Sequence, residues 1–524
     1  MIQRPARMLR GVWGVRRHIL SSAQWSRTFG TEQRARLLLK NAAQVVTVGG
    51  GSEPKLREQM NDVGVLENHS LLVGSDGRIE KIVPAGAPTE SLLSSLQDGV
   101  ERVVDCAGKV VLPGFVDCHT HAVFDGDRSH EHAMKLAGAT YEEVHEAGGG
   151  INFTVGAVRE ASHRRLQQLL LERLDGMMRS GTTTCEVKTG YGLDFETELK
   201  MLQTIQAATA KHRMAFSNTY LIHAVPQGMT SAEVTVDVVE NQLPALAEMV
   251  ADGRLTQPVD FIDVFCEHGP SFFTPDDSRQ ILEAGKRLLG AEIAFHGDEL
   301  SDQHSGVLAA EIGARSVSHL EMLNEDGVKA MAEAGVHAVL LPTTAYMLRL
   351  PHPPTRELID AGAPVVLASD FNPNAFCYDM PAVMNLACVT FGMTMAEALV
   401  ASTINAASAL CVADECGSLE VGKRGDCIVL DAPKWEHIVY NMRPRIAEVF
   451  KDGVSVTRSA SGPRQASLHT DPALDIQSLA SGIDFDGPLP PRFVYDDDSL
   501  PHAPRRPVKL STDLKRQVCP LCRM

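Results

Sequence analysis

Pro113-Gly114-Phe115-Val116-Asp117-Cys118-His119-Thr120-His121 closes a short apolar run with two histidines two positions apart. Side chains alternate along an extended segment, so His119 and His121 point to the same side and can share one ion. Imidazole is a common protein ligand for zinc and iron, and a catalytic site takes about three or four protein ligands with one position left for water. The pair is therefore half a site, and taken alone it reads better as two polar residues on the rim of a sheet. What decides is whether the rest of the chain returns further ligands to the same place.

Outward from this stretch, apolar β-branched runs end at Asp117, at Glu186 after Thr182-Thr183-Thr184, and at Ile222, Phe265, Phe295, Ser318, Leu341 and Ala368. Segments with helical spacing lie between most of them, among them Arg165 to Met178, Glu196 to Ala210, Asp277 to Leu289 and Asp326 to Ala334. Eight such runs in about 260 residues predict a (β/α)8 TIM-like barrel over 113–416, with its active site at the C-terminal ends of the strands. Short strands broken by turns flank it, from Leu37 to Val83 around the turn Gly74-Ser75-Asp76-Gly77, and again from Gly417 to Leu430 and Ile446 to Val456. Both flanks, 35–112 and 417–456, are expected to build one small β-sandwich domain.

The two ends read differently. Residues 1–31 carry Arg4, Arg7, Arg10, Arg16, Arg17 and Arg27 with serines and no acid, the composition of a mitochondrial transit peptide or of a plain basic extension. Residues 457–524 are polar and proline-bearing, the composition of a disordered tail, and Cys519 and Cys522 within it form the one close cysteine pair. The 11 cysteines are odd in number and scattered through apolar contexts, as in an intracellular enzyme with reduced thiols. A net charge of -17 argues against a nucleic-acid partner, and no apolar run approaches the ~18 to 20 residues that cross a bilayer.

Polar residues that follow the barrel runs gather the chemistry. His119 and His121 follow the first, His223 the third, Glu267 and His268 the fourth, His296-Gly297-Asp298-Glu299 the fifth, His319 the sixth and Asp370 the eighth. One strand-end histidine is usually structural; this many on one face point to a metal centre. Three imidazoles, His119, His121 and His296, with the carboxylate of Asp370 suit one divalent ion, zinc or iron, which would lower the pKa of water from ~15.7 to near 7. Glu299, three residues after His296, is placed to move a proton while free of the ion. His319 is a fifth ligand or, the reading we favour, a donor that polarises the attacked carbonyl. Asp298 is the competing carboxylate, with the poorer position.

On these residues, and on PGFVDCHTHAVFDGDR, YEEVHEAGGGI from Tyr141, EVKTGYGL from Glu186, HGDEL from His296 and SDFNPNA from Ser369, the chain resembles the amidohydrolase superfamily. Within it, the resemblance is to the family that hydrolyses 4-imidazolone-5-propanoate to N-formimidoyl-L-glutamate in histidine degradation. It covers roughly Leu37 to Val456. It implies the same four metal ligands, with Glu299 and His319 as the acid/base pair. It further implies that Arg128 pairs with the substrate propionate, that Tyr191, His223 and Asn372 contact the ring or product, and that Tyr141 with Gly148-Gly149-Gly150 forms a loop over the pocket. Where bacterial members usually carry glycine and a small hydroxyl residue after Asp370-Phe371-Asn372-Pro373, this chain has Asn374-Ala375, as animal-like members do, so Asn374 is expected to contact the ligand from its backbone or its side chain. Lys188 follows the second run and not the fourth, where binuclear members place a bridging group, so one ion is expected. The resemblance also implies a homodimer and a cytoplasmic location, with the mitochondrial matrix as the alternative if residues 1–31 are cleaved. A related aminohydrolase acting on a cytosine- or guanine-like ring shares the metal set, but a neutral base has no use for Arg128.

Overall fold

The computed structural model describes residues 34–96, 99–137 and 149–456. The basic N-terminal segment, Tyr141, Gly148, the tail from 457 and Cys519 and Cys522 lie outside the described residues.

Both flanks enter one eight-stranded sheet: β1 (Ala35–Val46), β2 (Val65–Val73), β3 (Ile79–Pro84), β4 (Val100–Asp105) and β5 (Val110–Pro113) from the start of the chain, and β14 (Cys427–Leu430), β15 (Ile446–Lys451) and β16 (Val454–Ser455) from its end. The two flanks meet where β14 pairs antiparallel with β5, Ile428 opposite Leu112. Strand β1 alternates its faces, burying Leu37 and Leu39 in one apolar cluster and Ala35 and Leu38 in another. It breaks register between Leu39 and Ala42, where Asn41 adopts φ 59°, and one edge then serves β4 before the break and β5 after it.

The middle of the chain forms a parallel barrel sheet of β6 (Phe115–Asp117), β7 (Thr182–Lys188), β8 (Ala215–Ile222), β9 (Phe261–Cys266), β10 (Glu292–Gly297), β11 (Ser316–His319), β12 (His337–Leu340) and β13 (Val365–Leu367), neighbours in space in that order. The strands end within two residues of the apolar runs, because β-branched runs buried on both faces are what a helix-covered parallel strand requires. The helices observed at His163–Arg179, Phe195–Thr209, Pro275–Leu289 and Glu325–Ala334 match the helical spacing. Helix Pro275–Leu289 illustrates the local logic. The Thr274 side chain accepts from the Asp277 N–H while the Asp277 carboxylate returns to Thr274, and Gly290 at φ 67° stops the helix. The buried residues Ile281 and Leu282 each contribute about 1.5–3 kcal/mol. Gly285 allows the close approach to β9, since a Cβ there would lie 2.6 Å from Ile262 Cγ1.

The ladder runs from β6 round to β13, and the seam between these two is closed by other bonds. Asp370 N–H donates to His119 O at 3.1 Å and His121 N–H to Phe371 O at 2.8 Å, with a parallel bridge between Thr120 and Phe371. Below them, Asp117 accepts from Ser369 N–H at 3.0 Å and meets the Ser369 hydroxyl at 2.5 Å. Asp117 thus pins the last barrel strand to the first. Asp117→Ala would strand two buried donors of Ser369, each costing about 1–3 kcal/mol. We expect a fall in unfolding free energy of about 2–5 kcal/mol in urea titrations, and a smaller one for Asp117→Asn, which keeps an acceptor.

Candidate active site

Barrel closure delivers the ligand set. His119 and His121 leave the end of β6, Asp370 follows β13, and His296 lies in β10. Nε2 of His119 and of His121 stand 3.3 and 3.4 Å from Asp370 Oδ1, and Nε2 of His121 stands 3.4 Å from Nε2 of His296. The three histidines, all buried, offer ligand atoms within 4.8 Å of one another. His119 Nε2 and Asp370 Oδ1 have no hydrogen-bond partner among the described residues. Buried lone pairs turned towards one another with no proton between them repel, and a cation among them resolves that repulsion, so the donor set fits a metal ion. Burial first, then the neighbouring Lys188 and His296 charges, holds the His119 imidazole well below the usual histidine range, the neutral form that coordination needs. Burial alone would raise Asp370, but the closeness of His119 and His121 holds it well below the usual carboxylate range.

A layer of buried polar residues orients these ligands. His119 Nδ1 is 2.8 Å from Ser318 Oγ, and His296 Nδ1 is 2.9 Å from Asp263 Oδ1. Asp263 also accepts the His296 backbone N–H at 3.1 Å, and its other oxygen pairs with Lys188 at 2.9 Å. Lys188, enclosed at the barrel axis, pairs as well with Glu186 at 2.9 Å, and Glu186 accepts the Thr120 N–H at 3.0 Å between the two β6 histidines. One ammonium therefore pairs with two buried carboxylates and ties β7 to β9. Thr344 donates to Asp370 Oδ2, and Asn372 Nδ2 bonds Asp370 O at 2.7 Å. The sequence offered one signal for this layer, an aspartate inside the apolar run Phe261-Ile262-Asp263-Val264-Phe265. Asp263 and Ser318 were nevertheless not singled out as site residues.

Beside the ligands lie Glu299 and His319, with Oε2 3.6 Å from Nε2. Both are buried. Burial, then Asp370 and Glu267, pushes the Glu299 carboxyl well above its usual range, while burial lowers His319 to about 3. The pair thus combines a carboxyl of raised proton affinity with an imidazole of lowered proton affinity. Glu321, on the far side of His319 at 3.8 Å, is a third buried carboxyl that sequence reading missed. The loop carrying Glu299 is held from below, for Glu267 accepts the Leu300 and Ser301 N–H groups and the Ser301 hydroxyl. Asp298 is turned away to accept the N–H groups of Gln303 and Ser305 at 2.8 and 3.2 Å, which sets it apart from Glu299. Strained left-handed backbone marks the rim, at φ 54° for Asp298, 81° for His319 and 46° for Asp370.

The substrate-facing residues divide. Tyr191 and half-buried His223 stand beside the cluster, ring centroids 5.7 and 5.4 Å from His121. Burial pushes the Tyr191 hydroxyl up, partly offset by the charge of nearby Arg128. Nε and Nη2 of Arg128 are already bound to both oxygens of Glu131 at 2.8 and 2.7 Å. Asn374 N–H donates to Asn372 Oδ1 at 2.8 Å, so its backbone is occupied and its side chain faces Lys135. His268 corrects the sequence reading, being exposed on the surface and apart from the other strand-end histidines, because the chain turns outward at Gly269, φ 121°.

Residues 110–456 match the model of the amidohydrolase family. The chain belongs to that family, and it is a hydrolase. Its curated relatives include the probable imidazolonepropionases of Xenopus tropicalis, 51% identical over 408 residues, and of Homo sapiens, 50% identical over 406 residues. Each alignment covers 77% of this chain, with 92% of the frog protein and 93% of the human one. Among solved structures, an adenosine deaminase from Xanthomonas campestris with bound zinc aligns with TM-score 0.55 and 18% identity over 81% of this chain and 93% of its own, a likeness of fold.

Asp263→Asn keeps the shape of the His296 partner while removing its charge. Substitutions of this kind weaken metal binding about 10–100-fold. Competition with a chelator, read as metal retained per chain, should show that loss, and unchanged retention would separate Asp263 from the metal centre.

Proposed function

We propose that the protein hydrolyses 4-imidazolone-5-propanoate to N-formimidoyl-L-glutamate in histidine catabolism. One observation carries the reaction class: three imidazoles and the Asp370 carboxylate converge beside a buried Glu299–His319 pair at the C-terminal mouth of the barrel. The substrate reading is supported by the names of the relatives at about half identity and by a cationic residue, Arg128, whose charge is felt at Tyr191 beside the cluster. A cytosine- or guanine-like ring lacks the carboxylate that would use this cation, and the names of those relatives point away from it.

His119, His121, His296 and Asp370 would hold one divalent ion, zinc or iron, since this donor set suits both. When bound, the ion supplies activation of water near neutral pH. The residues of the chain do the rest. Arg128 anchors the propionate by charge-assisted hydrogen bonds, and Tyr191 and His223 flank the ring. His319 polarises the lactam carbonyl. Glu299 takes the proton of the attacking water and returns it to the departing ring nitrogen, so that the C–N bond breaks with the elements of water added across it. The raised proton affinity of Glu299 suits both halves of that transfer.

Turnover of freshly generated imidazolonepropionate by the metal-replete protein tests the proposal. Formiminoglutamate should form with wild-type protein and about 10²–10⁴-fold more slowly with Glu299→Gln, at unchanged metal content. Absence of product from metal-replete wild-type protein would refute the substrate. Arg128→Gln should raise KM far more than it lowers kcat, and an unaltered kcat/KM would remove the arginine from substrate binding.

A further inference from the structure

The cation expected to receive the substrate carboxylate is not alone. Helix Ser129–Leu136 follows Arg128 directly and carries Glu131 and Lys135 on one face, three and seven residues on. Glu131 is fully buried and takes the Nε/Nη2 fork of Arg128 with both oxygens, while Oε1 also accepts the Gly150 N–H at 2.8 Å. The side-on Nε/Nη2 edge of the guanidinium is therefore spent on the protein, while the end-on Nη1/Nη2 edge has no partner among the described residues. Lys135 lies 3.9 Å from Glu131 Oε2 and donates to Asn374 Oδ1 at 2.7 Å.

Two cations thus share one carboxylate, and the cluster keeps one positive charge. Its position is fixed from two sides. Asn374 and Ala375 donate their N–H groups to Asn372 Oδ1, and Asn372 in turn bonds the Asp370 backbone carbonyl and carboxylate. Lys135 is therefore linked through Asn374 and Asn372 to the loop that supplies a candidate metal ligand. The Lys135 side chain is 31% exposed, and Asn374 gives its ammonium only a neutral acceptor.

We infer that Lys135 is a second carboxylate-binding and specificity-determining residue, which receives the acid group of a small heterocyclic monocarboxylate together with Arg128, while Glu131 positions the guanidinium without contacting the ligand. The substrate named here rests on the function proposed above; the carboxylate class rests on the cluster itself. Burial, then the charge of Arg128, lowers the proton affinity of Lys135 in the ligand-free site, and an entering carboxylate reverses that penalty.

The test uses the metal-loaded enzyme titrated calorimetrically with 3-(imidazol-4-yl)propanoate and with its methyl ester, in which one methyl group removes the charge. Wild-type protein should bind the acid more tightly than the ester. Lys135→Gln, which keeps a hydrogen bond to Asn374, should weaken the acid about tenfold or more and the ester about twofold or less, and Lys135→Arg should restore most of the difference. Parallel loss for acid and ester, or an unchanged acid affinity, overturns the inference, as does a wild type that does not distinguish the two. Wild-type protein that prefers the acid, with Lys135→Gln losing that preference, but that leaves imidazolonepropionate unopened, removes the function and keeps the inference. Ring opening by wild type with full acid affinity in Lys135→Gln does the reverse.

Discussion

The site depends on how the barrel closes. Strands β6 and β13 are the ends of the ladder, and the bonds that join them run between residues 119–121 and 370–371, the same residues that bring His119, His121 and Asp370 together. Closure and ligand convergence are one event. A barrel left open at this seam would keep His296 and its partner Asp263 on β9 in place, yet would hold Asp370 away from the histidines whose closeness lowers its proton affinity. Asp117 and Ser369 have no chemistry of their own in the reaction, but their buried pair fixes the distance that the ligands require.

Electrostatics beneath the seam follow from burial. Three carboxylates, Glu186, Asp263 and Asp370, and three imidazoles lie within the barrel, where unpaired charge costs several kcal/mol per ion. Lys188 pairs with the first two, and Asp263 passes that polarity to His296 through Nδ1. Among the described residues no lysine or arginine pairs with Glu299, so burial keeps its proton affinity high. Carboxylates of the same kind therefore differ in partner and proton affinity according to what stands next to them. Asp298 and Glu299 make the contrast sharpest, because adjacent residues of one loop separate when Asp298 bonds backbone N–H groups and Glu299 meets His319.

Much of this was legible in the chain. Apolar β-branched runs, spaced by amphipathic helices, located the barrel strands to within two residues, since a strand buried on both faces admits little else. Residues immediately beyond the runs named the candidate ligands, because parallel strands in a closed barrel all present their C-terminal ends to one mouth. His268 failed this rule for a local reason: a sharp turn at Gly269 carries it outward, and a strand-end position does not encode the direction of the next residue. Ser318 and Asp263 were passed over because a polar residue inside a strand is ambiguous until the facing strand is known.

By itself, then, the sequence determined the strand order along the chain, the face on which polar strand-end residues collect, and the residue types that could bind a metal ion, all of which follow from periodicity and from side-chain chemistry. Only the tertiary structure decided which atoms of those residues face one another. It set Lys188 between Glu186 and Asp263, Glu131 across the fork of Arg128, and Lys135 against Asn374, 239 residues away in the chain. Such pairings join segments whose separation is fixed by closure of the barrel and by burial, and no local pattern carries that distance.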